Sequence, residues 1–407
     1  MSRRVLGLIG VATVIVTVTV LLSLATVSVV GQARTASGQA VAAATTDLAP
    51  TTPWGEPDLQ GIWTSDYQVS LQRPAQYAGK EFFTDEERAD LDRQRAAIPG
   101  RDRRSPRGTE QDVGGAYNAV FLTVKHTGRR TSLIVDPPSG RIPPLTPEAQ
   151  ERRDAIREFQ LALLQATETC KNNLPSCAGG QHGPPSPRRA EPPPHYLTSA
   201  VNRADGPEDR SMGERCMSGR LPDFGGATGF FLQIVQSPGT VSVFYDTGQG
   251  QGWQRIIPVT ASPHLPSHVR QWWGDSRGRW EGKTLVVDVT NFSPKTDFQG
   301  SREHLHLVER WTRLDAQTIE YVVTIEDPTT WTRPWTVTQE LSKQSNEANR
   351  LYKEPRCHEG NYGLPGLLAG ARADEKAFAD GRGPDPATRC TAGCGSGVDG
   401  DNRDPLR

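Results

Sequence analysis

The chain lacks an excess of charge of either sign. Its 46 basic and 47 acidic side chains leave a net charge of -1 over 407 residues, which removes the broad electrostatic attraction used by nucleic-acid grooves and by proteins that coat acidic membranes. It also lacks a phosphate-binding P-loop. P-loop nucleotide enzymes are therefore disfavoured, and no motif requires a cofactor. A Cys-x-x-Cys metal pattern is missing as well. What is abundant is Gly (40) and Pro (32), so turns and irregular segments take up much of the length.

The first residues predict the compartment. Arg3-Arg4 precede an uncharged apolar run over 5–30, the pattern of an export signal, and Gly31-Gln32-Ala33 offers a small-x-small cleavage site. The run is also long enough to span a bilayer as an uncleaved anchor with its basic end inside. Residues 1–33 are thus a signal peptide or an N-terminal anchor, and the chain beyond them is expected outside the cytoplasm: periplasmic, secreted or held by that segment. The only membrane contact expected is through it. Six cysteines agree with export, because disulfides persist in oxidising compartments. Cys170 and Cys177, and Cys390 and Cys394, are near enough in sequence to close small loops, which leaves Cys216 and Cys357 as a long-range pair. Spacing alone leaves the connectivity open.

Residues 34–52 read as a flexible tether, 53–380 as a single β-rich domain and 381–407 as a disordered tail. The centre of the domain is residues 274–292: a Gly-bounded turn, Trp280, a second turn at Glu281-Gly282-Lys283, then a strand dense in β-branched residues. Strands are predicted over 57–64, 119–124, 131–135, 230–236, 240–245, 254–258, 284–290, 304–313, 318–326 and 335–341, each bounded by Gly, Pro, Asp or Ser. Runs of short strands at this spacing predict an antiparallel meander that closes as a barrel or sandwich. Two peripheral helices interrupt it, one over about 85–97 opened by the Thr84/Glu87 capping box and one over 147–168 opened by Thr146-Pro147. A Pro-rich irregular insert over about 170–210 is expected to wrap the surface or stay partly disordered.

Several motifs carry a resemblance. Pro57-Asp58-Leu59-Gln60-Gly61-Ile62-Trp63, the stretch over 274–292, Glu326-Asp327-Pro328-Thr329-Thr330-Trp331-Thr332-Arg333-Pro334-Trp335 and Cys357-His358-Glu359-Gly360-Asn361-Tyr362 resemble a large family of exported bacterial β-rich proteins without a known activity. The resemblance covers most of the chain after the first segment and implies export but no reaction. Gly61-x-Trp63, with the later meander, also resembles the opening strand of lipocalins and related calycin barrels, in which the Trp closes one end. The long helical and Pro-rich interruptions depart from a simple lipocalin cup.

Three groups of residues could carry chemistry. His304-x-His306 on one predicted strand would share a face, as a metal site needs, with a third ligand from His264, His268, Glu303 or Asp288. Two histidines on a strand face are more often unremarkable. His358 and Glu359, immobilised beside Cys357, form a candidate acid–base pair, set against the bland reading of a structural histidine beside a staple. Asp275 and Glu281, with Arg277, Arg333 and Trp63, Trp273, Trp280, Trp331 and Trp335, would build an aromatic and carboxylate cleft if their turns met at one barrel mouth. The competing reading has the arginines clamping turns and the tryptophans plugging barrel ends. The expectation is an exported protein that binds a small apolar or amphipathic molecule in its barrel. The alternatives are an extracytoplasmic enzyme, a hydrolase or lyase acting on a carbohydrate or lipid-like substrate, and a surface interaction protein without a pocket.

Overall fold

The computed structural model describes residues 49–96, 125–217, 219–225, 231–248, 251–345 and 357–390. The signal or anchor over 1–33, most of the tether, the strand expected over 119–124 and Cys394 lie outside the described residues.

The architecture is mainly β. Among the described residues twelve strands run in chain order: β1 (Gly61–Thr64), β2 (Tyr67–Gln68), β3 (His126–Thr127), β4 (Ile134–Asp136), β5 (Phe231–Ser237), β6 (Thr240–Gly248), β7 (Gln251–Pro258), β8 (Asp275–Glu281), β9 (Thr284–Thr290), β10 (His306–Arg313), β11 (Thr318–Glu326) and β12 (Trp335–Lys343). Nine of them form one sheet in the order β7-β6-β5-β1-β12-β11-β10-β9-β8, with β4 added beside β12. All neighbours along that path are antiparallel. The N-terminal strand joins two meanders. The sheet curls into a nearly closed barrel whose two ends meet through a parallel bridge between Val259, just after β7, and Gly278 of β8, with Thr260 N–H donating to the Gly278 carbonyl at 3.0 Å.

The pleat decides what faces inward. On β9 to β12 the residues Val287, Glu309, Val323 and Val337 stand side by side across the ladders and are buried, because a period of two sends every second side chain to the same face. The interior is filled by side chains. Trp63, Trp253, Trp311 and Trp335 all lie in one hydrophobic cluster with the aliphatic residues of the strands. The segment 219–225 adds to it: the Phe224 ring lies 6.3 Å from Phe298 and 6.4 Å from Tyr321, and its carbonyl accepts from Gln339 Nε2 at 3.1 Å. Arg255 and Glu309 pair inside at 2.6 Å, and Ser276 and Tyr321 satisfy their remaining groups. A charged pair out of water needs such partners to be tolerated. The open ligand cup expected of a lipocalin-like barrel is therefore not what these residues form.

Among the described residues four α-helices lie outside the sheet: α1 (Asp85–Ala96), α2 (Pro147–Leu164), the short α3 (Glu168–Lys171) and α4 (Gly363–Ala379). The capping box opens α1 as expected, with Thr84 N–H donating to Glu87 and Glu87 N–H to Thr84 Oγ1. Thr146 caps α2 by accepting from Ala149 N–H at 3.1 Å. Helix α4 was not anticipated. The Pro-rich insert is ordered against α2: Leu197 and Val201 pack with Ile156, Phe159 and Leu163, and Arg203 pairs with Asp209 at 2.8 Å. Of the tail expected from 381, residues 381–390 are folded, with Ala387 buried and the Arg389 carbonyl accepting from Asn202. At the other end, Thr52, expected in the tether, is buried in a turn with Glu56.

Cys170–Cys177 and Cys216–Cys357 are disulfide-bonded. Two such bonds belong to an oxidising, extracytoplasmic environment. Cys390 is oxidised too. No helix among the described residues is long and apolar enough to cross a membrane.

Candidate functional site

Two places concentrate polar side chains. The first is a cavity of about 1060 Å³ at the barrel end where β9 and β11 finish and β10 and β12 begin. One wall is α2. Its residues Ala149, Arg152, Arg153, Ile156, Arg157 and Gln160 recur at helical spacing and so share a face. The opposite wall is the β9–β10 connection, with Lys295, Asp297 and Arg302, closed by the turn after β11 and by His195 and Tyr196 of the Pro-rich segment.

Five cationic side chains (Arg152, Arg153, Arg157, Lys295 and Arg302) and four carboxylates (Asp154, Asp297, Glu303 and Asp327) line this cavity. Arg302 is committed to Asp297 at 3.0 Å and to the Tyr196 carbonyl. Asp327 is satisfied by the hydroxyls of Ser301, Thr329 and Thr330, whose bonds outweigh burial and hold its carboxyl below the ordinary range. Arg152 donates to the Thr329 carbonyl, and Lys295 lies 5.3 Å from the Tyr196 ring. Among the described residues neither cation is paired with a carboxylate. Burial, aided by Arg302 and then Arg152, pushes the His195 imidazole down to about 4. It is neutral near pH 7. Leu145, Ala149 and Ile156 supply the apolar part of the wall.

The second place lies on the outer face of β8 to β11. Asp275 starts β8, Asp288 points outward near the end of β9, His306 starts β10 and Glu326 ends β11 directly opposite it. The connection between β7 and β8 lays His264 across them. His264 Nδ1 is 2.8 Å from Asp275 and its Nε2 is 2.8 Å from Asp288. His306 Nε2 is 3.1 Å from the other Asp288 oxygen, and its Nδ1 is 3.5 Å from Glu326. Asp275 is itself oriented by Arg277 at 2.6 Å and by the Leu265 N–H at 3.0 Å. Among the described residues no group of three or more His, Cys, Asp or Glu stands ready to hold a metal ion. Here the nitrogens and carboxylates are closed on each other by hydrogen bonds.

The residues expected from sequence are distributed differently. β10 begins at His306, so His304 sits in the preceding turn and lines the cavity instead of sharing a strand face with it. Asp275 and Glu281 occupy opposite ends of β8, and Glu281 pairs there with Arg279 and Arg310. Arg277 clamps Asp275, and Arg333 clamps Asp136 at 2.7 Å. The tryptophans do not meet at one mouth. Trp63 points inward, donates to the Leu59 carbonyl and carries Arg313 over its ring at 4.7 Å. Trp280 also packs inward, while Trp273 stacks on Trp253 and Trp331 lies edge-on to Trp335. The expected cleft is thus replaced by clamped turns and a plugged barrel. His358 and Glu359 are exposed in the turn after Cys357, outside the cavity lining. Sequence reasoning missed His195, Arg152 and Lys295. The helix over 147–168 is legible in the sequence, but not which of its residues line a cavity.

No protein-family model matches this chain, and a search of curated proteins returns no match.

Proposed function

We propose that the protein binds an amphipathic small molecule with an anionic head, held in the cavity between α2 and the barrel end. The observation that carries this reading is the 1060 Å³ space in which Arg152, Arg153 and Lys295 face apolar Leu145, Ala149 and Ile156. Its volume reaches the upper end of the range for small-molecule sites, about 300–1,000 Å³. The neutral His195 adds a hydrogen-bonding group that does not itself attract an anion. In this reading the barrel is scaffold, and the ligand sits on its end rather than inside it. The ligand is a small molecule and not a nucleic acid, in keeping with the balanced charge of the whole chain.

The motifs of the exported β-rich family support placing the protein in the periplasm, in the medium or on a membrane through residues 1–33. The lipocalin-like opening at Gly61-x-Trp63 supports a distant structural relation to calycins. Titration calorimetry with a twelve-carbon carboxylate, its alcohol and its amine tests the binding reading. We expect the carboxylate to bind and to weaken at least tenfold in Arg152→Glu and in Lys295→Glu. Equal binding of the alcohol, or no effect of either charge reversal, overturns it.

A further inference from the structure

The geometry points to Gln160 as the residue that selects the far end of the ligand, so that the molecule held beside α2 is an amphipathic acid with a hydroxyl group remote from its acid. The inference rests on the reading of the cavity as a site for an anionic amphipath. Gln160 lines the cavity and is only 6% exposed. Among the described residues no hydrogen bond holds its side-chain amide, yet that amide is not sealed off as the indole N–H groups of Trp311 and Trp335 are. It therefore offers the cavity an unmet donor and an unmet acceptor. Leaving a buried amide unpaired is unfavourable, and a ligand hydroxyl, which both donates and accepts, relieves it.

The order of side chains along α2 says where that hydroxyl belongs. Arg152 and Arg153 are exposed, Ile156 one turn further on is 9% exposed, and Gln160 a turn beyond is buried more deeply still. The wall thus passes from a cationic mouth over an apolar step to a neutral amide. Seven residues separate Arg153 from Gln160, and at the rise of an α-helix these span about 10 Å along the axis. A ligand whose acid lies at the mouth reaches Gln160 with a short aliphatic stretch over Ile156. A second acid is not what this end suits. The nearby cation Arg157 is already committed to the Ala178 carbonyl at 2.7 Å. A plain methyl end would leave the amide unpaired, and sites built to hydrogen-bond a hydroxyl discriminate strongly against the analogue that lacks it.

Titration calorimetry on the full chain compares plain carboxylates of eight, ten and twelve carbons with their ω-hydroxy derivatives and with the matching diacids. We expect one of the hydroxy acids to bind at least tenfold more tightly than the plain acid of equal length. Gln160→Met, which keeps the length of the side chain without the amide, should lose that preference while binding the plain acid within twofold of the wild type. Gln160→Asn, which withdraws the amide by one methylene, is a second variant with the same expected loss. Retained binding of the plain acid reports an intact cavity in both. Failure of every acid to bind the wild type overturns the anionic reading of the cavity and this inference with it. Plain acids that bind as tightly as every hydroxy acid overturn the inference alone, as does a preference that survives in both variants or a diacid that binds more tightly than its hydroxy acid.

Discussion

At the scale of single residues, the environment of His195 has a measurable consequence. Burial is the main cause of its low value of about 4, and Arg302 and Arg152 add to it. In the unfolded chain a histidine titrates near 6.5. Between these values the unfolded chain takes up a proton that the folded one refuses, so stability is complete above the unfolded value and is lost as the pH falls through this window. Urea melts at pH 7 and pH 4.5 should show a smaller acid loss in His195→Gln than in the wild type. An equal loss would mean that the imidazole is not held neutral by the cavity. None of this was legible in the sequence, where His195 stands in a Pro-rich stretch and its two arginines are distant in the chain. The sequence pairs His306 with His304, whereas in the structure His306 and His264 both meet Asp288. A period-two argument assumes that the strand already runs through His304, whereas the turn at Glu303-His304 delays it.

At the scale of elements, the most legible are those with long β-branched alternation. The strands over 284–290 and 318–326 have the expected bounds, because half-buried pleats demand that alternation. β8 was missed. Gly274 and Gly278 suggest a turn, and only Gly274, with φ of 69°, behaves as one. Gly278 lies in the strand because the barrel ends need the room: a Cβ there would stand 3.1 Å from Ile257 Cγ2 and 3.4 Å from the Pro258 carbonyl. Gly278→Val should therefore push β7 from β8 and cost about 1–3 kcal/mol, as overpacked cores do. A thermal melt checks this. A melting temperature equal to the wild type would show that the barrel ends are loose. Helix α4 escaped notice because its first turns are rich in Gly and its apolar residues have no fully buried face.

At the scale of the whole molecule, the Cys216–Cys357 bond closes a loop of 141 residues that contains the entire run from β5 to β12. Replacing both cysteines by serine should cost about 2–5 kcal/mol, because a long loop is freed in the unfolded chain. The same change at Cys170 and Cys177, seven residues apart, should cost less. Denaturant titrations of the two double variants check the order. The outline of the fold follows from the composition of its strands, while the filled interior does not, since it depends on where a distant segment such as 219–225 comes to rest. The strand count carries a further consequence. A ring of alternating directions can return to its start only with an even number of members, and among the described residues this one has nine on its path. One pair of neighbours must run the same way, so somewhere the chain must climb the full height of the wall on the outside. It does so between β7 and β8, and that climb brings His264 over Asp288. Arithmetic parity, rather than any local preference, is why a histidine from a loop comes to rest against carboxylates from two strands.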